Sequence, residues 1–257
     1  YTLRRFLGAW PTLLILMTLA FFMMRAAPGG PFDTEKTLAP EIQANLDKKY
    51  HLDEPLIKQY GRYLFDLAQG DFGPSFQYKD FSVNELIATG FPVSLRLGGT
   101  AIILAFFIGS LLGTIAALRQ NTVIDYSVMA TAMTGISIPN FVLAPLMILL
   151  FAVNLKWLPA GGWNDGAFKN TILPIIALTL PYVAYISRLM RSSMIEVLRS
   201  NPIRTARAKG LPEHTVILRH AMKPALLPVI SFLGPATAGI LTGSVVIEQI
   251  FGIPGLG

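Results

Sequence analysis

The chain alternates between long apolar runs and polar connecting segments. Residues 7–24 form an 18-residue run without a charge. At about 1.5 Å per residue, a helix of that length covers roughly 27 Å, close to the hydrocarbon thickness of a bilayer. Residues 97–118 and 126–153 form two further uncharged runs, the second containing Pro139 and Pro145. Residues 171–186 hold Pro174 and Pro181, and residues 225–247 hold Pro228 and Pro235. Each of the five runs predicts a membrane-spanning helix, so the fold class is all-α integral membrane. A proline inside a helix removes a backbone hydrogen bond and favours a kink, and membrane bundles tolerate this where neighbours satisfy the freed carbonyl. Packing kinks and bendable helices around a transport path both fit these positions.

The polar segments carry their own patterns. In the segment 25–92, Ile42, Leu46 and Tyr50 have helical spacing after Pro40, which suits a helix start. A second helix is predicted from 55 to 68, with Leu56, Tyr60, Tyr63, Leu64 and Leu67 on one side. Gly70-Asp71-Phe72-Gly73-Pro74-Ser75 then breaks the pattern. A helical cap and a docking surface both fit this insertion. In the segment 188–224, Asn201-Pro202 interrupts the helix leaving the fourth run. About two helical turns follow over 203–209, and Gly210-Leu211-Pro212 ends them. A further helix over 212–222 leads into the fifth run. The short helix carries small residues (Ala206, Ala208) and cations (Arg204, Arg207, Lys209). Contact with a partner protein and a basic loop that fixes topology against anionic lipid are both open readings.

Composition sharpens this picture. Of 257 residues, 53% are hydrophobic and 14% charged, against roughly 25% charged in soluble domains. Mean hydropathy is +0.53. This balance excludes disorder and argues against an ordinary soluble enzyme. The formal charge of +6 is unevenly placed. The segment from Arg188 to Lys223 has eight basic and two acidic residues, while that from Arg25 to Glu85 has seven basic and ten acidic. The positive-inside rule then puts the N-terminus, the Arg119 turn and the 188–224 segment in the cytoplasm, and the 25–92 insertion outside. The basic start also suits a signal peptide, but Ala26-Ala27-Pro28 makes a poor cleavage site, which favours a retained span. The ending Phe251-Gly252-Ile253-Pro254-Gly255-Leu256-Gly257 is turn-rich, and a sixth span is expected beyond it.

Several chemistries find no support. There is no GxxxxGK[ST] run for nucleotide. His51, His214 and His220 lack metal-ligand spacing, and cysteine is absent. Gly109-Ser110 and Gly243-Ser244 suit small-residue helix contacts better than a protease nucleophile. The span interiors hold no ionisable residue, since Arg96 and Glu248 fall at outer ends and Arg188 and Arg191 at an inner end where they can snorkel. A proton-driven carrier and a voltage sensor are both disfavoured, and the energy for any active transport must come from elsewhere.

At the basic segment the chain resembles the membrane permease subunits of ATP-binding-cassette importers. Their shared signature, Glu-Ala-Ala, three residues, Gly, nine residues, Ile-x-Leu-Pro, is met in part: Ala206 and Gly210 match, while Arg204-Thr205 replaces Glu-Ala and His220-Ala221-Met222-Lys223 replaces the last element. The peptide-importer branch is matched closely, in Arg204-Thr205-Ala206-Arg207-Ala208-Lys209-Gly210-Leu211, in Leu218-Arg219-His220-Ala221 and in Ala225-Leu226-Leu227-Pro228. The likeness extends to Leu3-Arg4-Arg5, Ala27-Pro28-Gly29, Gly70 to Ser75, Thr242-Gly243-Ser244, Glu248 and Gly252-Ile253-Pro254-Gly255. It is nearest to the B-type subunit of oligopeptide importers, with permeases for dipeptides or nickel as the alternative and a secondary carrier or channel as a more distant one. The resemblance implies a multi-pass permease of the type I fold in the bacterial inner membrane, with six spans, five of them in these residues. Its implied partners are a second permease subunit, two cytoplasmic ATPase subunits that bind ATP and magnesium, and an extracytoplasmic peptide-binding protein. Arg204, Thr205, Ala206, Arg207, Ala208, Lys209, Gly210 and Leu211 would form the contact with an ATPase, and Phe76, Tyr78 and Asp80 would face the binding protein. The chain itself would bind no cofactor and catalyse no reaction.

Overall fold

A computed structural model describes residues 2–26, 52–75, 78 and 81–257. The described residues are helical apart from turns and one isolated bridge between Pro74 and Ser82. The chain divides into two compact units, Tyr1–Leu86 and Ile87–Gly257.

The first unit contains α1 (Thr2–Ala26) and α2 (Leu56–Ala68). Nearly every described side chain of α1 is exposed, and almost all of these are apolar. A helix that is hydrophobic all round belongs in lipid or a large core. One contact breaks that exposure: Phe21 is buried, with the rings of Tyr60 and Tyr63 5.4 Å away. Thr18 and Tyr60 share a hydrogen bond of 2.5 Å. The predicted helix at 55–68 is therefore present, and Tyr60 and Tyr63 are the side chains that fix it to α1. The predicted helix around 40–50 lies outside the described residues.

Helix α3 (Val83–Leu118) starts with a capping box. Ser82 accepts from the Glu85 amide, and the Glu85 carboxylate accepts the Ser82 N–H and O–H, satisfying donors that a helix start leaves free. At 36 residues α3 is longer than the predicted 97–118 run. The difference is physical: hydropathy marks the part suited to lipid, whereas the helix continues through Glu85, Asn84 and Arg96.

The second unit is built on α3 and on α6 (Phe168–Leu198), which has 31 residues. They meet through Gly109 and Gly113. A Cβ on Gly109 would sit 2.8 Å from Ile186 Cβ, and one on Gly113 would strike Ser187 and Met190. Small residues four apart allow two backbones this close, and dispersion across the contact holds helices together where lipid removes the hydrophobic drive. This accounts for Gly109 as a helix contact, whereas Gly243-Ser244 lies between two helices, with Gly243 at φ +97°.

Residues 126–153 are not one straight span. They divide into α4 (Val123–Ser137) and α5 (Asn140–Met147), and the helical path on either side of Ile138–Pro139 bends by 101°. Ile138 is extended, as a residue before proline tends to be, and Pro139 caps α5 without losing a bond. Pro145, in contrast, stays inside the helical path, and a π-helical stretch over Ile148–Asn154 follows it. Wider π turns accommodate a missing donor.

After α6 come α7 (Asn201–Ala208), α8 (Glu213–Thr215), a second π-helical stretch (Val216–Ala221), α9 (Met222–Leu241) and α10 (Val245–Phe251). The predicted run 225–247 thus ends early. Thr242-Gly243-Ser244 turns the chain, with Gly243 at φ +97°, and Val245 to Ile247 begin a separate short helix. Among the described residues four helices are long and apolar enough to cross a membrane, or up to five if the bent pair counts as one.

Candidate functional site

The basic segment folds as a bracket on the end of α6. Helix α7 opens with Pro202 in its first turn, where a missing N–H costs nothing. It closes in a Schellman motif: Gly210 N–H donates to Arg207 C=O at 2.9 Å, and Leu211 N–H donates to Ala206 C=O at 3.3 Å. Gly210 has φ +77°, and nothing lies within 4 Å of where its Cβ would be. Backbone conformation therefore requires glycine there, and crowding does not.

The two faces of α7 differ. Ile203 is 1% exposed and Ala206 5%, and both join the core formed by Met190 and Met194 of α6, Val216 and Ala221 of the π stretch, and Ala225 of α9. Burying one isoleucine side chain stabilises by roughly 1.5–3 kcal/mol, so α7 is held against the long helices. Arg204, Thr205, Arg207, Ala208, Lys209, Gly210 and Leu211 are exposed. Of the eight residues singled out from sequence, seven therefore share an exposed surface, while Ala206 faces the chain's own core. Its three-residue spacing from Ile203 was the available signal, since residues three apart share a helix face.

Charge on this surface is partly compensated. Arg207 donates to Glu213 from Nε at 3.1 Å and also from Nη2. That hydrogen bond raises the Arg207 guanidinium further above its ordinary pKa, so it stays a cation. Arg204 and Lys209 have no carboxylate partner among the described residues.

A second feature was missed in the sequence. Asp125, in the first turn of α4, is 1% exposed and takes both oxygens to Arg191 of α6, Oδ1 to Nε and Oδ2 to Nη2, each at 2.6 Å. Asn121 N–H also donates to Oδ2 at 2.9 Å. The expectation that Arg191 snorkels is corrected: it turns onto a buried carboxylate, because a fork-to-fork pair satisfies both groups better than lipid headgroups at the surface. The pair lies 66 positions apart in sequence, so no local pattern signals it. Nearby, Arg199 donates to Gln120 at 3.1 Å. The Arg119 turn is thus tied to α6 just before α7 begins.

The other end of this unit has a different construction. Glu248 of α10 is buried and accepts from Ser94 Oγ at 2.9 Å, Ser244 N–H at 3.2 Å and Gly257 N–H at 2.6 Å. Ser94 Oγ in turn accepts from Leu256 N–H. Arg96 donates to Gly166 C=O at 2.8 Å and lies over Trp163. Arg96 and Glu248 do fall together at one end, as read from sequence. Of the three residues assigned to an outside partner, Tyr78 is exposed and its N–H donates to Ser75 Oγ, while Phe76 and Asp80 lie outside the described residues.

Comparison with known proteins gives this arrangement a family. The family described as binding-protein-dependent transport system inner membrane component matches residues 109–257, and its N-terminal component matches residues 1–98. The chain belongs to this family. It is 62% identical over 257 residues to the oligopeptide transport system permease protein OppB of Escherichia coli (strain K12), covering all of this chain and 84% of that protein. It is 50% identical to the dipeptide transport system permease protein DppB of Bacillus subtilis (strain 168), covering all of this chain and 83% of that protein. Among solved structures, one described as the crystal structure of an amino acid ABC transporter with histidines is 17% identical. It covers 67% of this chain and 75% of that chain at a TM-score of 0.53, a likeness of fold. As an inner membrane component of a binding-protein-dependent system, the chain is a permease subunit with the all-helical fold of ABC importers.

Proposed function

We propose that this chain forms half of the pathway for ATP-driven import of oligopeptides across the inner membrane, working with a second permease subunit, two cytoplasmic ATPases that use ATP and magnesium, and an extracytoplasmic binding protein. The relation to OppB supports the substrate class. The observation that carries the mechanism is the two-faced α7. Its exposed side offers Arg204, Thr205, Arg207, Ala208, Lys209, Gly210 and Leu211 to an ATPase, and its buried side belongs to the same core as α6 and α9. A push on α7 therefore moves packed side chains, which deform little. The N-terminus, the Arg119 turn and α7 are cytoplasmic in this reading, and the 25–92 insertion is outside, where Tyr78 meets the binding protein. Alternating access follows from closure and opening of the ATPase pair.

The test uses peptide uptake in cells that depend on this permease. Gly210→Asp, which can also take up the positive φ, places a carboxylate among contacts suited to cations, so uptake falls at least about tenfold, a loss of roughly 1.4 kcal/mol of coupling, while the chain remains in the membrane. Gly210→Asn, which tolerates positive φ, keeps most uptake. Normal uptake by Gly210→Asp overturns the coupling assignment. Uptake that stops on ATP depletion yet survives an uncoupler separates this reading from a secondary carrier. The relation to DppB favours a second reading, dipeptide transport. Competition by dipeptides, longer peptides and nickel ions decides between the substrate classes.

A further inference from the structure

Helix α2 has three faces, and packing accounts for only one. With about 100° between successive residues, Leu56, Tyr60, Tyr63 and Leu67 form one sector, Ile57, Gly61, Leu64, Phe65 and Ala68 a second, and Lys58, Gln59, Arg62 and Asp66 a third. The first sector meets α1: Tyr60 and Tyr63 stack around Phe21, and Tyr60 also reaches Phe22 and Thr18. The third is polar, with Arg62 paired to Glu54 and Gln59 donating to the Leu52 and Glu54 carbonyls. The second is apolar and open, with Ile57 75% exposed and Phe65 67% exposed.

The depth of α2 says what covers that open face. Thr18, Phe21 and Phe22 belong to the last turns of a helix long and apolar enough to cross a membrane, Leu7–Ala26. On the same turns Met23 and Met24 are 71% and 67% exposed, an apolar surface suited to lipid. A helix fastened to those turns lies at the level where acyl chains give way to headgroups. Its open apolar sector then continues the lipid-facing surface of α1, while Lys58 and Arg62 reach the headgroups.

We propose that α2 is an interfacial helix, seated in the headgroup–acyl boundary of the bilayer through Ile57 and Phe65 and fixed to the end of α1 by Tyr60 and Tyr63. The chain contains no cysteine, which makes the test direct. Single substitutions Ile57→Cys, Phe65→Cys, Lys58→Cys and Arg62→Cys are made in the full chain, assembled with cysteine-free partners in nanodiscs of phosphatidylethanolamine and phosphatidylglycerol. Each is labelled with a nitroxide and probed with oxygen, which concentrates in acyl chains, and with a nickel chelate, which stays in water. For burial at the boundary of about 5–10 Å, the oxygen-to-nickel accessibility ratio at 57 and 65 exceeds that at 58 and 62 at least about threefold. Equal ratios at all four positions overturn the proposal, because the helix then lies in water. Protection of 57 and 65 from both reagents also overturns it, because a protein surface then covers them. This placement does not depend on the assignment of α7, and the outcome leaves peptide uptake as a separate question.

Discussion

Two buried carboxylates hold the second unit together, and they do so by different means. Asp125 gives both oxygens to one cation on another helix. Glu248 is satisfied by a hydroxyl and two backbone amides, with no cation among its hydrogen-bond partners. Their surroundings differ as well. Around Glu248 the backbone is close on every side: a Cβ on Gly90 would lie 2.9 Å from Gly255 O, and one on Gly161 would lie 2.6 Å from Phe251 O. Around Asp125 the tie is made by side chains, with Arg191 still 26% exposed. One end of the unit is fixed largely by main-chain donors and close backbone approaches around one carboxylate. The other, next to α7, depends on a particular ion pair.

The largest effect should come from breaking that pair. Asp125→Ala leaves the Arg191 guanidinium without its partner in a mostly dry setting. Loss of one member of a buried pair costs about 3–5 kcal/mol, and the partial exposure of Arg191 argues for the lower end. Thermal unfolding of the purified complex should register that loss, and Asp125→Asn should fall between the variant and the parent. The double substitution Asp125→Ala with Arg191→Met should recover part of it, since no charge is then stranded. A double variant as unstable as the single one would show that the pair contributes through something other than charge.

The next effect comes from the small-residue contact that the two ends share. Gly113→Val drives a branched side chain into Ser187 and Met190 of α6. Overpacking of this kind costs about 1–3 kcal/mol. Gly99→Val serves as the control, because nothing lies within 4 Å of a Cβ at Gly99. Similar unfolding temperatures for the two would refute the close α3–α6 approach.

These features were unequally legible in the sequence. Helix α2 was readable almost to the residue, because Pro55 starts it and its apolar spacing needs no tertiary information. Helix α7 was readable for the same reason, with Pro202 at one end and Gly210 at the other. Pro139 and Pro145 were both visible, but not that the first bends the path by 101° while the second stays within it. That outcome depends on whether the freed carbonyl finds a neighbour, which is a property of packing. Charge sorting placed Arg188 and Arg191 at one end of the bundle, yet treated them alike. Arg188 lies over Tyr185 and remains exposed, whereas Arg191 finds Asp125. Nothing within a window of sequence distinguishes the two arginines.

At the other end, Glu248→Gln should be milder than loss of Asp125. The amide keeps one oxygen to accept hydrogen bonds but turns an NH₂ group towards donors that also point inward. With the amide oxygen at the Oε1 position the Ser94 and Ser244 bonds are kept to a neutral acceptor and the Gly257 bond is lost, and the expected cost is about 1–2 kcal/mol. Hydrogen exchange at the Ser244 and Gly257 amides should quicken while the amides of α7 are unchanged. Faster exchange at α7 would mean that the two ends are not separately held.

The smallest effect is expected where the sequence is most highly charged. Arg207 and Glu213 form a well-aligned pair, yet both side chains stand largely in solvent. Exposed pairs contribute little, since water screens the attraction and two long side chains must be ordered. Arg207→Ala should therefore leave the unfolding temperature of the complex unchanged within error, at low and at high salt alike. Stability is the wrong property by which to judge this residue. If α7 meets an ATPase, Arg207→Ala should instead lower the peptide transported per ATP hydrolysed, and Glu213→Ala, which frees the same guanidinium, should not. Equal loss of coupling in both variants would assign the effect to the pair and its hold on the Schellman turn. A loss confined to Arg207→Ala would assign it to the cation presented on the exposed face of α7.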